Sequence, residues 1–354
     1  MNPHLLELYH CANLPVFQNR MYHSHAAATA CQTGDVRLVQ DLNTGLISNH
    51  EFDPKLMVYD ADYQNEQAHS QAFQDHLHAI LGLIATHFQN QSLIEVGCGK
   101  GLFLGMLRNQ GYPITGIDPT YEGSDPAILK QYFSPASGIR ADGIILRHVL
   151  EHIQQPVDFL ASLRDSNGGR GRIYIEVPCF DWICSRCSWF DVFYEHVNYF
   201  RLADFHRMFG QIHHAGHSFN GQYLSIVADL GSLRQPVYHD APVSFPAAFS
   251  HSVLTHSRRL ATHPERHRIV WGGASKGVIF AIFMARAGTP IHTVVDVNPA
   301  KQGKFLGVSG LRVSSPEELI AQLPASAEII VMNSNYLDEI RRMTHNRFTY
   351  YPAD

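Results

Sequence analysis

The stretch LIEVGCGKG, from Leu93 to Gly101, reads as a short apolar strand that breaks into a glycine-rich turn. Glycines at 97, 99 and 101 let the chain turn tightly out of a strand and bring its backbone close to a ligand, where any Cβ would collide. An acid, Glu95, stands two residues before the first of them. The next strand pattern, ITGID, ends at Asp118, seventeen residues after Gly101. An acidic side chain there can accept hydrogen bonds from the two hydroxyls of a ribose. The G-x-G-x-G spacing is tighter than the G-x-G-x-x-G that suits a dinucleotide pyrophosphate at a helix N-terminus.

Downstream of this turn, strand and helix patterns alternate: a helix through FLGMLRNQG, then ITGID, GIILRHV, a helix after Pro156 and GRIYIEVP. Such alternation predicts an α/β fold with a doubly wound, Rossmann-like parallel sheet. Upstream, from Glu66, residues Phe73, Leu77, Ile80, Leu81 and Ile84 recur at helical spacing and predict one amphipathic helix packed on that sheet. Residues 1–65 mix short apolar runs with Asn, Asp, Gly and Pro, which reads as loops and short strands of a small N-terminal module. The proline-bearing QPVYHDAPVSF and the run HSVLTHSRRLATH mark a linker helix over 236–266. After it RIVWGGASKGVIFAIFMARAG, TVVDVNP, SPEELIAQL and EIIVMNSN predict a second, smaller α/β unit over 267–354, leaving 66–235 as the main domain.

At 354 residues and 45% apolar content the chain can bury a sizeable core. A net charge of −5 with scattered Lys and Arg offers no basic face for nucleic acid. The start MNPHLLELYHCANLP lacks a signal pattern, and nowhere do eighteen apolar residues run together. A cytoplasmic protein without membrane or nucleic-acid partners is expected. Cys184 and Cys187 form one C-x-x-C, but a structural zinc needs four ligands, and Cys11, Cys31 and Cys179 are isolated. The 23 histidines show no H-x-x-x-H or H-E-x-x-H pattern on a clear helix, so no metal site is expected.

The glycine turn, its leading acid and Asp118 resemble the class I S-adenosylmethionine-dependent methyltransferases, whose E/D-x-G-x-G-x-G opens the cofactor site. IILRHVLEHIQQPVDFL, Ile144 to Leu160, is similar to the fourth-strand segment where such enzymes pass the methyl group. The resemblance implies S-adenosylmethionine as cofactor, held by Glu95, Gly97, Gly99, Gly101, Asp118 and His148. YEHVNYF at 194–200 and WGGASKG at 271–277 further resemble the sugar C-methyltransferases, which methylate nucleotide-linked keto sugars, from about Tyr59 onward. That narrower resemblance implies Glu195 and His196 as active-site acid and histidine and His152 as candidate base. Tyr63 matches a region that reaches over the acceptor. The family's tyrosine two residues before the glutamate is replaced by Phe193, with Tyr194 beside it. Relatives begin with a four-cysteine zinc module, of which only Cys11 and Cys31 remain, so a metal-free module is expected.

The chemistry suits these residue types. Carbon is a poor nucleophile until a proton beside a carbonyl is removed, so C-methylation needs a base and a group that stabilises an enolate. A carboxylate can orient an imidazole, and a tyrosine or histidine can donate to the developing oxyanion. Arg147 and Asn198 are candidates for acceptor phosphate or carbonyl groups, or for capping backbone carbonyls. Gly272, Gly273, Ala274 and Gly277, with Lys276 nearby and Asp296 after the next strand, form a second glycine loop suited to a phosphate. The acceptor expected is a small, enolisable molecule, with a nucleotide-linked one fitting that loop. O- or N-methylation of a small metabolite, or a non-catalytic cofactor-binding scaffold, are the rival readings.

Overall fold

The computed structural model describes residues 4–57, 62–64, 66, 68–135 and 138–354. Tyr59, from which the sugar C-methyltransferase resemblance is counted, lies outside them.

The N-terminal module holds more regular structure than its sequence suggests. Strand β1, Leu5–Pro15, pairs antiparallel with β3, Thr33–Asp41, and β3 pairs with β4, Ile47–Asn49. Between them lie the two-residue β2, Met21–Tyr22, and the short helix α1, His25–Thr29, whose N-cap Ser24 accepts from Ala27 N–H. A register shift between Cys11 and Leu14 breaks the apolar alternation of β1, which is why the strand is not read from period 2 alone.

Helix α2, Gln71–His87, buries Phe73, Leu77, Ile80, Leu81 and Ile84, the expected face. It begins at Gln71 rather than Glu66 because Ser70 caps it, its hydroxyl accepting from Phe73 N–H. The main sheet follows: β5 (Leu93–Val96), α3 (Leu102–Asn109), β6 (Ile114–Ile117), β7 (Ile128–Leu129), β8 (Gly143–Arg147), α4 (Pro156–Ser166) and β9 (Arg172–Pro178). Then come α5 (Phe180–Ser185), β10 (Asn198–Tyr199), α6 (Leu202–Met208) and the hairpin β11 (Ile212–Ser218) and β12 (Tyr223–Asp229). The strand order is β11-β12-β9-β8-β5-β6-β7, parallel from β9 to β7 and antiparallel at β12 and β11. Every residue of β5 is buried, as expected of a strand covered by helices on both faces.

Helix α7, Ala248–Ala261, follows the proline-bearing connection. That connection lies along the N-terminal sheet, with Val243 N–H donating to Gln40 Oε1. The C-terminal unit contains β13 (Arg268–Trp271), α8 (Ser275–Arg286), β14 (Thr293–Val295), β15 (Phe305–Leu306) and β16 (Val313–Ser314). It ends with α9 (Pro316–Gln322), β17 (Glu328–Val331), α10 (Leu337–Met343) and β18 (Thr349–Pro352). Its five strands run β16-β14-β13-β17-β18, all parallel.

The N-terminal module is woven into both units. Its sheet is completed by β10, and β2 pairs with β15. One apolar cluster joins Leu14 and Phe17 to Trp189 and Tyr194 and to Phe280 and Val294. Packing the three parts around this core closes a cavity of about 390 Å³ between both glycine loops.

Candidate active site

At the C-terminal end of β5 the backbone turns through Gly97 (φ 75°) and Gly99 (φ 54°), a region open to few residues with a Cβ. A Cβ on Gly97 would sit 2.3 Å from Val149 Cγ2, whereas at Gly99 nothing lies within 4 Å. The loop is therefore held tightly on one side and leaves a bare backbone cradle on the other. Gly97 and Gly99 face the cavity with Glu95 and His148. Asp118 stands behind the loop instead. Its Oδ2 accepts from Gly99 N–H at 2.7 Å, and its Oδ1 accepts from Thr120 N–H at 2.8 Å and Oγ1–H at 2.6 Å. As arranged it shapes the cradle, and Gly101, the N-cap of α3, likewise packs behind it against Ile128.

Glu95 is 2% exposed and its Oε2 has no hydrogen-bond partner. Burial pushes its pKa up to about 7, against the pull of Arg147. His148 opens the turn after β8 with φ 53°, unusual for a residue with a Cβ. Its Nε2 lies 3.2 Å from Glu176 Oε1 and its Nδ1 3.4 Å from Glu151 Oε1. Burial works against its charge, but the two carboxylates outweigh burial and lift its pKa to about 9. Glu176, fully buried, also meets Arg147 Nη2 at 2.9 Å and His76 Nε2 at 3.0 Å. Burial opposes its charge, but the pull of Arg147 and the hydrogen bonds from His148 and His76 outweigh it and hold its carboxyl well below the usual range. Arg147 thus serves Glu176 and packs 4.5 Å from the Phe103 ring centroid. Asn198 turns out to cap backbone: its Nδ2 donates to the carbonyls of Leu150 and Ile153, at 3.3 and 2.6 Å.

The segment 194–200 docks against the turn Leu150–His152, with Val197 N–H donating to the Glu151 carbonyl at 2.8 Å. This brings His152 and His196 together on the cavity wall, their ring centroids 5.0 Å apart. His152 Nδ1 lies 2.9 Å from the backbone carbonyl of Glu195. A carbonyl only accepts, so Nδ1 carries the hydrogen and the lone pair of a neutral His152 sits on Nε2. Burial holds the His196 pKa well below the usual value, helped by His152 and His148, so this imidazole is neutral.

Glu195 does not use its carboxylate to orient either ring. Its Oε1 accepts from Gln18 N–H at 3.1 Å and its Oε2 from the Tyr63 hydroxyl at 2.8 Å. Burial raises its pKa, opposed by His152 and by these hydrogen bonds. Tyr63 lies on the cavity wall, where the N-terminal module closes over the site. Tyr194 is turned away: its hydroxyl accepts from Asp53 N–H at 2.8 Å and donates to the Glu51 carbonyl at 3.3 Å, and its ring fills the space beside Gly34. The acid that the sequence reading passed over is Glu151, 1% exposed, with Oε2 lacking a partner and facing the same cavity. Its mark was present in H148-V-L-E-H152, a four-residue histidine spacing that falls in a turn rather than on a helix.

The second glycine loop repeats the first. Gly273 N–H donates to Asp296 Oδ2 at 2.8 Å and Asn298 N–H to Asp296 Oδ1 at 2.8 Å, as Gly99 and Thr120 do to Asp118. Here Lys301 Nζ stands 3.2 Å from Asp296, and Lys276 Nζ stands 2.9 Å from Asp191 Oδ2. Both lysines line the cavity.

Over residues 65–213 the chain matches the methyltransferase domain family. With the cradle at Gly97 and Gly99 and an orphaned acid beside it, that match decides the chemistry. Residues 65–213 are thus an S-adenosylmethionine-dependent methyltransferase domain. No curated protein matches its sequence. Among solved structures the methyltransferase is similar to the plantazolicin methyltransferase BpumL with bound SAH and a monoazolic substrate analogue. The two share 17% identity over 48% of this chain and 87% of that one, with a TM-score of 0.36. It is also similar to a SAM-dependent methyltransferase from Archaeoglobus fulgidus, at 14% identity over 45% of this chain and 95% of that one, TM-score 0.35. A third is the 1,6-didemethyltoxoflavin N1-methyltransferase of Burkholderia thailandensis, at 18% identity over 47% and 79%, TM-score 0.31. No helix among the methyltransferase's described residues is long and apolar enough to cross a membrane.

Proposed function

We propose that this methyltransferase is a cytoplasmic enzyme that C-methylates an enolisable small molecule, such as a nucleotide-linked keto sugar. The observation that carries this reading is the Tyr63 hydroxyl on the cavity wall, donating to a buried carboxylate, Glu195, whose pKa burial has raised. The Tyr63 oxygen takes a proton from the carbon beside the acceptor's carbonyl while its own hydrogen passes to Glu195 Oε2. The C–H electron pair moves into the enolate, and Glu195 ends as a neutral acid. O- or N-methylation needs no such relay. A second arrangement, favoured by the free Nε2 lone pair of His152, has that nitrogen take the proton directly.

Glu95, Gly97, Gly99 and His148 would hold the cofactor, with Gly101 and Asp118 shaping the loop from behind. When bound, S-adenosylmethionine supplies an electrophilic methyl group on a sulfonium. The second glycine loop, with Lys276 and Lys301, suits the phosphates of a nucleotide-linked acceptor.

The test is solvent exchange. With a keto-sugar nucleotide in deuterium oxide and no cofactor, the enzyme is expected to wash deuterium into the carbon next to the carbonyl. Methyl transfer to an acceptor without such exchange would favour the O- or N-methyltransferase. Absence of turnover with every acceptor would favour a scaffold.

Glu95 adds a pH dependence. Below pH 7 its carboxyl is protonated and neutral; above, it is a carboxylate able to accept from the cofactor's ammonium. Affinity for S-adenosylmethionine should therefore rise about tenfold between pH 6 and 8, following the ionised fraction of a group titrating near 7. Calorimetry on Glu95→Gln should show that rise abolished.

A further inference from the structure

We propose that Glu151, His152 and His196 form a binding site for a divalent first-row metal cation, with zinc the best-suited ion. A donor atom from each of the three lies within 4.8 Å of the others, the one such group of metal-competent side chains among the described residues. All three line the cavity on the wall that carries the acceptor chemistry.

The proton inventory makes the case. His152 has its Nδ1 hydrogen committed to the Glu195 carbonyl at 2.9 Å, so Nε2 presents a lone pair. An imidazole whose far nitrogen is anchored on a carbonyl is the arrangement found behind ligating histidines, because it fixes tautomer and ring orientation. Glu151 has Oε1 near His148 at 3.4 Å, while the buried Oε2 has no partner. The His196 ring lies 5.0 Å from that of His152, centroid to centroid, and makes no hydrogen bond among the described residues. Three donor atoms thus gather within 4.8 Å of one another, two of them on buried residues and one on half-buried His152. Such a convergence is costly unless a cation or a proton sits among them.

Two imidazoles and one carboxylate with open positions suit zinc or another first-row ion. Donors about 2.1 Å from a tetrahedral zinc stand about 3.4 Å apart, so small side-chain rotations would close this cluster around an ion. The role deepens the C-methylation reading, on which it rests. An open coordination position would take the acceptor's carbonyl oxygen and stabilise the enolate as a Lewis acid, while Tyr63 and Glu195 remove the proton. It also gives a task to His152, whose Nδ1 is taken up by the Glu195 carbonyl.

The test uses the full-length protein stripped with a chelator and titrated with Co²⁺ as a spectroscopic probe, then with Zn²⁺ by calorimetry. One equivalent should bind, with ligand-field bands in the visible and no thiolate charge-transfer band. Glu151→Gln and His152→Gln should each weaken binding about a hundredfold or more, while Cys184→Ser with Cys187→Ser leaves it unchanged. Nitrogen and oxygen ligation is readable on the wild type, so misfolding of a variant does not spoil the result. No binding, thiolate ligation, or unchanged affinity in both Glu151→Gln and His152→Gln would overturn the proposal; no binding would leave a shared proton as the occupant. Metal binding without deuterium exchange would keep the site and sink the keto-acceptor reading. Exchange in a protein that binds no metal would do the reverse.

Discussion

Replacing Glu176 by alanine should lower stability by about 3–5 kcal/mol, the usual cost of removing one partner from a buried ionic network. Glu176 is fully buried, and its two oxygens meet Arg147 at 2.9 Å, His76 at 3.0 Å and His148 at 3.2 Å, with the Tyr174 hydroxyl donating at 3.1 Å. Without the carboxylate, the guanidinium of Arg147 and the imidazolium of His148 are left in low dielectric with the pull of Glu95 on the first and of Glu151 on the second. Glu151 can hold only one side of His148. The measurement is a urea titration, reading the midpoint at constant slope. A double variant, Glu176→Met with Arg147→Met, should recover much of the loss, because an apolar pair of similar volume removes the desolvation cost along with the attraction. A loss under about 1 kcal/mol for Glu176→Ala, the scale of an exposed ion pair, would mean that water reaches this network.

The second large effect falls on rate. On the proposed relay, Tyr63→Phe removes the hydroxyl that would receive the acceptor proton, and deuterium wash-in should fall by about 10²–10⁴, the usual contribution of a positioned base. Glu195→Gln should lose a comparable factor, because an amide accepts the Tyr63 hydrogen bond but does not take the proton. Affinity for S-adenosylmethionine should stay within about twofold in both, since the two side chains bond to each other and Glu195 to Gln18 N–H. Tyr194→Phe is the control. Among the described residues its hydroxyl bonds to the Asp53 and Glu51 backbone alone, so wash-in should change little. If Tyr63→Phe kept the wild-type rate while His152→Ala lost it, the proton would go to His152 Nε2 directly.

The cofactor half of the molecule was open to reading from sequence. Glycine at 97 is demanded by a positive φ and by Val149 lying where its Cβ would be, and such backbone demands leave a signature in residue type. The buried face of α2 and the burial of β5 follow from periodicity, which is a property of neighbours in the chain. Asp118 was expected by spacing at the ribose of the cofactor, and its carboxylate accepts from Gly99 N–H behind the loop.

What the sequence determined by itself is therefore local: the alternation of strands and helices and the glycine turn with its acid. Tertiary structure decided which atom of each residue does what. Glu195 and His196 are adjacent in the chain, yet the Glu195 carboxylate goes to Tyr63, 132 positions away, and its backbone carbonyl goes to His152, 43 positions away. Tyr194 was expected at the site but serves the N-terminal sheet, because β10 joins that sheet and turns the ring outward from the cavity. Glu151 comes together with His152 and His196 only because 194–200 docks against it. Backbone preference and burial act over a few residues and are written in residue types. The direction of a lone pair depends on partners brought together by packing, and nothing in the spacing of one segment carries it.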